Sequence, residues 1–296
     1  MKKTKGEQIF NIFNLILMFL VALVMLYPYL NQVAVSFNEG MDSMRGGITI
    51  FPRKFTLANY EAVLANDGFL QAVIITVSKV VLHTIIALVV TFACAYALSR
   101  RGLRWKKAIT YYFILPGYFS AGIIPVFILY RTLGLIDNYL VYIIPGMFSF
   151  YNMVVLRGFL QELPVSIEES AMVDGANEIY IMFKMIIPMS LPAVATITLW
   201  LAVGGWNDWM TTLVYTTDPD LQTLQFFLMQ MIKQSERAAQ MALEMSMGTA
   251  EDQLNMPTTA AVQAATLVAT SLPIVLLYPF LQKYFIKGIN LGAVKE

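Results

Sequence analysis

Long apolar runs constrain this chain more than any single motif in it. The first extends from Ile9 to Tyr29, and others occupy residues 69–98, 108–131, 139–156, 190–214 and 260–282. About 20 consecutive apolar residues suffice for a helix to cross a bilayer. With 58% hydrophobic and 13% charged residues, the chain is also far more apolar than a soluble domain. The expectation is an all-α, polytopic membrane protein with six transmembrane helices. The second run is longer than a bilayer needs, so it must tilt or project. The fourth contains Pro145 and Gly146, which suggests a kinked helix packed on its neighbours. The first run follows Met1-Lys-Lys-Thr-Lys5, and Ala34-Val-Ser36 resembles a cleavage site. It exceeds the roughly 7–15 residues of a signal-peptide core, however, so it reads as a retained span.

Basic residues set the orientation. With the N-terminus in the cytoplasm, 13 of the 20 lysines and arginines fall inside and six outside. The cluster Arg100, Arg101, Arg104, Lys106 and Lys107 decides the matter, because short loops obey the positive-inside rule. Both termini are then cytoplasmic, and segments 36–68 and 216–257 face out. The first outer segment suggests a short interfacial helix around Asn59-Tyr60-Glu61. In the second, Leu224 to Met247 is rich in helix formers and in Met, Gln, Ala and Glu. It reads equally as a solvent-facing helix that meets a partner or as a packing flap or mobile loop. One cysteine, Cys94, excludes an internal disulfide and a thiol metal cluster, and one histidine excludes the usual multi-histidine metal sites. The net charge of +1 gives no sign of nucleic-acid binding.

One polar interruption organises the rest, residues 164–188. Ser166 and Glu169 have the spacing of a capping box. Gly175 is suited to end the short helix they open, since glycine takes the left-handed conformation without penalty. Asn177 can cap a second helix running toward Lys184, which Pro188 would stop. Two short helices at an angle make a compact knob that another protein could grip.

Glu169-Ser-Ala171, Asp174-Gly175-Ala176, Phe183 and Ile186-Ile-Pro188 resemble the Glu-Ala-Ala cytoplasmic loop of ABC importer permeases; Ser170 stands where that family usually has alanine. Ala95-Tyr-Ala-Leu-Ser-Arg100 and Trp206-Asn-Asp-Trp209 resemble further segments of sugar importer permeases. The ending from Tyr278 to Lys295 is similar to the C-terminus of the second permease of carbohydrate importers of the maltose-transporter type. The resemblance implies a type I permease core over 69–296, preceded by an N-terminal helix and outer loop over 1–68. It also implies a second, non-identical permease, two ATPase domains and an extracytoplasmic sugar-binding protein, with an oligosaccharide as cargo. In that family the loop is the helix that docks on the ATPase, so Glu169, Ser170, Ala171, Asp174, Gly175, Ala176, Phe183 and Pro188 become coupling residues. ATP and Mg would sit on partner subunits. No G-x-x-x-x-G-K-[ST] occurs anywhere in this chain, so it carries no P-loop and is not itself an enzyme. An importer for another solute, such as a polyamine or phosphate, is the alternative within transport.

Several residues carry two readings. Glu169 and Asp174 suit basic groups on an ATPase, or plain helix-end capping. Phe183 and Met185 would fill a docking cleft, or pack on the protein's own helices. Lys79 and His83 share a helix face, and ionisable groups in a bilayer often mark a pathway; a snorkelling lysine with a hydrogen-bonded histidine is the plainer reading. Trp206, Asn207, Asp208 and Trp209 offer aromatic faces and polar groups that suit sugars, or form an interfacial belt with a buried polar contact. Two other classes carry less. An intramembrane enzyme would have only His83 with Asp208 as its polar pair, and a stand-alone channel would not need the 164–188 motif.

Overall fold

The computed structural model describes residues 4–100, 102–119, 121–244 and 258–293. In chain order the helices are α1 (Lys5–Ser36), α2 (Gly40–Met44), α3 (Ala58–Leu64), α4 (Asp67–Ser99), α5 (Lys106–Tyr118), α6 (Ile123–Thr132), α7 (Phe150–Glu162), α8 (Val165–Val173), α9 (Glu178–Ile181), α10 (Ile187–Met189), α11 (Leu191–Asn207), α12 (Met210–Tyr215), α13 (Leu224–Glu244) and α14 (Thr259–Ala293). Short 3-10 turns lie at Tyr139–Tyr142 and Pro219–Leu221, and a π turn at Met182–Ile186. Among the described residues, extended pairing is limited to one isolated antiparallel bridge, Asn38 to Phe55.

The chain divides into two compact units, residues 1–69 with 227–272, and residues 70–226 with 273–296. In the first, Thr4 and Glu7 cap α1 reciprocally: the Thr4 hydroxyl accepts from the Glu7 N–H at 3.3 Å, and the Glu7 carboxylate from the Thr4 N–H at 2.8 Å. At 32 residues α1 is about 48 Å long, more than the ~30 Å hydrocarbon core requires. Its apolar side chains from Ile9 to Leu26 are exposed, the surface of a helix whose solvent is lipid.

The segment after α1 is organised by Asn38, which is fully buried. Its Oδ1 accepts from the backbone N–H groups of Arg53 and Lys54 at 2.7 and 2.8 Å, and its Nδ2 donates to Asp42 Oδ2 at 3.0 Å. Arg53 closes the loop with a 2.9 Å ion pair to Asp42. Asn59 in α3 donates to the carbonyls of Ser36 and Asn38, so the expected short helix around Asn59 is present and tied to the end of α1. Gly40 permits the closest approach in this unit, since a Cβ there would lie 2.5 Å from the Thr258 backbone nitrogen.

In the second unit α4 packs against α7 and α11 around a core that includes Ala87, Ala95, Met153, Leu156, Ile181 and Ile197. Small residues on α4 let its neighbours approach, the usual solution where lipid removes the hydrophobic drive between helices. Three apolar runs depart from one straight helix each. The 108–131 run is two helices, α5 and α6. The 139–156 run holds only a 3-10 turn, capped by Asn138, and then the 13-residue α7, capped by the Ser149 hydroxyl. Pro145 and Gly146 lie in the non-helical stretch between them, so the helix starts at Phe150 rather than near Tyr139. At about 20 Å, α7 is shorter than a bilayer. The 190–214 run breaks at Asp208 into α11 and α12. Among the described residues, three helices are long and apolar enough to cross a membrane, or up to five if each bent pair counts as one crossing. Residues 245–257 of the Met-rich segment with the side chains of 238, 239 and 241–244, Arg101 in the basic cluster, and the side chains of 278 and 280–296 in the C-terminal motif lie outside the described residues.

The Asn38 network generates an acid-dependence. Hydrogen bonding from Asn38 holds the Asp42 carboxyl below the usual carboxylate range; burial opposes this, and the bond and charge of Arg53 add to it. A carboxyl depressed on folding stabilises above its unfolded value of about 3.9, and that contribution is lost as pH falls through the lower folded value. Amide hydrogen exchange over residues 37–56 should therefore accelerate below about pH 4, beyond the intrinsic pH effect. Asp42→Asn should exchange faster already at neutral pH and lose this acid step. Equal protection in both proteins at both pH values would contradict the role given to Asp42.

Candidate functional site

Residues 164–188 form one of two sites. Here α8 ends in a Schellman turn. The N–H of Gly175 bonds the Met172 carbonyl and that of Ala176 the Ala171 carbonyl, both at 3.0 Å, while Gly175 has φ +82°. The turn is left-handed, which is why glycine stands there. Asn177 then caps α9, its Oδ1 accepting from the Tyr180 N–H at 2.7 Å. Both features match the sequence reading.

One other does not. Ser166 and Glu169 form no capping box, because Pro164 is the N-cap and the helix begins at Val165, placing Ser166 inside it. The Ser166 carbonyl accepts instead from the Ser170 hydroxyl at 2.7 Å. Pro188 does mark the end of the second helix, which closes one residue later at Met189. A proline in a regular α-helix removes one N–H and clashes with the carbonyl four residues back. The π turn at Met182–Ile186 changes the register just before it, and α10 ends the helix at an 83° bend into α11.

The result is an exposed, angled knob around a cleft of about 890 Å³ that Ser166, Ala171, Gly175, Asn177, Tyr180 and Lys184 help to line. Glu169, Ser170, Asp174 and Gly175 are exposed, Ala176 is half-buried, and Ala171 is buried against the core. Among the described residues, the Glu169 and Asp174 carboxylates have no hydrogen-bond or ion-pair partner, so helix capping does not occupy them. Phe183 is 51% exposed, together with Val173 at 88% and Ile179 at 69%. Met185 packs on the protein's own core, and Pro188 is exposed beyond the π turn. The Phe183 side chain is thus exposed outside the cleft lining, while Met185 both packs on the core and helps to line the cleft.

The second site is a cavity of about 330 Å³ between α4, the 3-10 turn at Tyr139–Tyr142 and the α11 break, lined by Lys79, His83, Tyr142, Gly146, Gly204 and Asp208 among others. The Lys79 side chain is only 3% exposed, and its ammonium donates to the Asp208 carboxylate and to the Asp208 carbonyl, both at 3.2 Å. It also lies 4.8 Å from the centre of the Tyr142 ring. The helix break at Asp208 is what frees that carbonyl. Asp208 Oδ1 then accepts from the Thr211 N–H at 3.1 Å, starting α12. The Tyr142 hydroxyl is fixed by Thr212 Oγ1 at 2.9 Å and the Leu221 carbonyl at 2.8 Å. His83 Nδ1 lies 3.4 Å from the Ile143 carbonyl. A Cβ at position 146 would fall 2.7 Å from the His83 ring, so only glycine leaves room for the imidazole there.

The structure thus joins Lys79, His83 and Asp208, and separates them from the rest of the aromatic cluster. Trp206 is buried, Trp209 is half-buried, and Asn207 is exposed, accepting from Gln225 at 3.4 Å. None of the three lines the cavity. Tyr142 was missed in the sequence, because a tyrosine in an apolar run carries no signal of its own. The Lys79–Asp208 pair was partly legible, since a buried cation in a bilayer demands an anion and Asp208 is the one acid in the 190–214 run.

Comparisons with known proteins place these sites in context. Residues 7–291 match the family described as "binding-protein-dependent transport system inner membrane component". The chain is 34% identical to the polygalacturonan/rhamnogalacturonan transport system permease protein YtcP of Bacillus subtilis, over 96% of each chain. It is 33% identical to Protein LplC of the same organism, over 100% of this chain and 98% of that one. A chain of the solved bacterial ABC transporter that imports the acidic polysaccharide alginate superposes with TM-score 0.85 at 29% identity, covering 96% of this chain and 99% of its own.

Removing one member of a desolvated ion pair strands the other, at a cost on the order of 3 kcal/mol. Lys79→Met alone should therefore lower the thermal unfolding midpoint of the purified protein in detergent, and Lys79→Met with Asp208→Asn should recover most of the loss. A double variant no more stable than the single would mean that the pair is not coupled.

Proposed function

From the premise that this chain belongs to the family of binding-protein-dependent transport system inner membrane components, we propose that it is one permease subunit of an ATP-driven importer of oligosaccharides. It works beside a second, non-identical permease, two ATPase domains and an extracytoplasmic sugar-binding protein. Both termini and the 164–188 knob face the cytoplasm, and segments 36–68 and 216–257 face out, as the basic residues indicate. The reading rests above all on the near-complete match to the polygalacturonan/rhamnogalacturonan permease, and the alginate importer's chain supports it.

The chain's own part is mechanical. Glu169 and Asp174 offer unpartnered charge, and Val173, Ile179 and Phe183 offer exposed apolar surface, for a docked ATPase to grip. ATP and Mg are held by that partner. When the ATPase pair closes, the knob moves as a unit, because the Schellman turn at Gly175 and the Asn177 cap fix the angle between α8 and α9. In the cavity Lys79, Asp208 and His83 are the polar groups that line a sugar pathway. They offer donors and acceptors to hydroxyls, and a cation to a sugar carboxylate. Trp206, Asn207 and Trp209 play no part in that lining.

The experiment is purification of the intact complex from native membranes, followed by ATPase assays with its binding protein and a panel of acidic and neutral oligosaccharides, polyamines and phosphate. The expected result is stimulation by an oligosaccharide, and by acidic ones above neutral ones. Stimulation by a polyamine or phosphate alone would keep the importer and remove the sugar.

A further inference from the structure

Arg100 is the first residue after α4, and its side chain reaches both arms of the knob. The guanidinium pairs with Glu168 in α8 and, at 3.4 Å, with Glu178 at the start of α9. These two acids flank the Gly175 bend, so a single cation spans it. The side chain is only 17% exposed, and its Cζ lies 5.1 Å from the centre of the Tyr96 ring, one turn back along α4. Lys106 fixes the backbone beneath it, donating to the Ser99 and Arg100 carbonyls at 3.1 and 3.0 Å. Cations suit these carbonyls because the free C=O groups of a helix end carry partial negative charge. A planar fork that can hold two carboxylates at once is a property of arginine and not of lysine.

Two routes lead away from the knob, and they differ in stiffness. The covalent one passes through the π turn and the 83° bend into α11. The other starts at Arg100 and runs back along α4, which has no glycine or proline between Lys79 and Ser99. Twenty-one residues of α-helix span about 32 Å from Arg100 to Lys79. The helix therefore carries the clamp at one end and half of the Lys79–Asp208 pair toward the other.

We propose that Arg100 is the positioning residue that fastens the knob to α4, so that displacement of the knob by the ATPase travels along α4 to the Lys79–Asp208 pair. The inference rests on the importer reading, and needs both that the knob docks on an ATPase and that the cavity lies on the pathway. Arg100 touches neither the nucleotide nor the cargo in this scheme. Its loss weakens the link between hydrolysis and transport rather than either one directly.

The test uses the full reconstituted complex with its binding protein, in proteoliposomes, and reads labelled oligosaccharide taken up per ATP hydrolysed. Arg100→Gln should lower that ratio by about 5-fold or more, in line with ordinary coupling energies, with the same amount of ATPase subunit copurifying. Arg100→Glu combined with Glu168→Arg should recover part of it, which a purely structural defect would not. If Arg100→Gln prevents assembly, Glu168→Gln with Glu178→Gln removes the same clamp from its other side and should lower the ratio alike. An unchanged ratio in an assembled variant, with a well-coupled wild type, overturns the clamp and leaves the importer standing. A wild-type complex whose hydrolysis ignores the loaded binding protein overturns both.

Discussion

Inside a bilayer no water is available to satisfy a backbone N–H or C=O, and most of this structure follows from that. It explains why the described residues form helices with almost no extended pairing. It also gives a reason for the specific partners found at several of the helix interruptions among the described residues. At Asp208 the freed carbonyl accepts from Lys79, and the carboxylate of the same residue starts the next helix at Thr211. At Tyr139 and Phe150 the side chains of Asn138 and Ser149 cap the new starts. Several polar residues of an otherwise greasy chain stand where its helices break.

Both candidate sites also lie at such breaks. The interruption at Asp208 opens a cavity with a buried ion pair, and the interruption at 164–188 builds an exposed knob. α4 passes unbroken between them. On the proposed reading, work passes from a bound ATPase to a solute cavity, which calls for one stiff element and two adjustable ends, and this fold has that division. The interactions at the two ends differ in kind. In the cavity the charges neutralise one another, with a 3% exposed lysine against an aspartate. On the knob Glu169 and Asp174 stay open, which suits a surface meant for another chain.

Much of this was legible in residues whose local chemistry leaves little choice. Gly175 at a left-handed turn, Asn177 as a helix cap and the long runs of α1 and α4 all follow from short-range rules, and they appear as read. The misreadings share one physical origin, competition between neighbouring signals. Ser166 and Glu169 have the right spacing for a capping box, but Pro164 starts the helix earlier and puts both inside it. In the 139–156 run hydropathy alone promises a span, while Pro145, Gly146 and the Ser149 cap postpone the helix to Phe150. Arg100 stood in the sequence only as one charge in a basic turn, because its partners Glu168 and Glu178 lie far along the chain. Pairings across such a distance leave no periodic trace.

The central claim is that the knob formed by residues 164–188 is where an ATPase subunit docks. Site-specific crosslinking in native membranes tests it most directly, with Val173→Cys, which is 88% exposed, in a Cys94→Ser background. A short bifunctional reagent should join this position to an ATP-binding subunit, and the same reagent should give no such adduct from a cysteine replacing Leu15 in the lipid-facing part of α1. A complex that hydrolyses ATP in response to its loaded binding protein but yields no adduct at position 173 would contradict the claim.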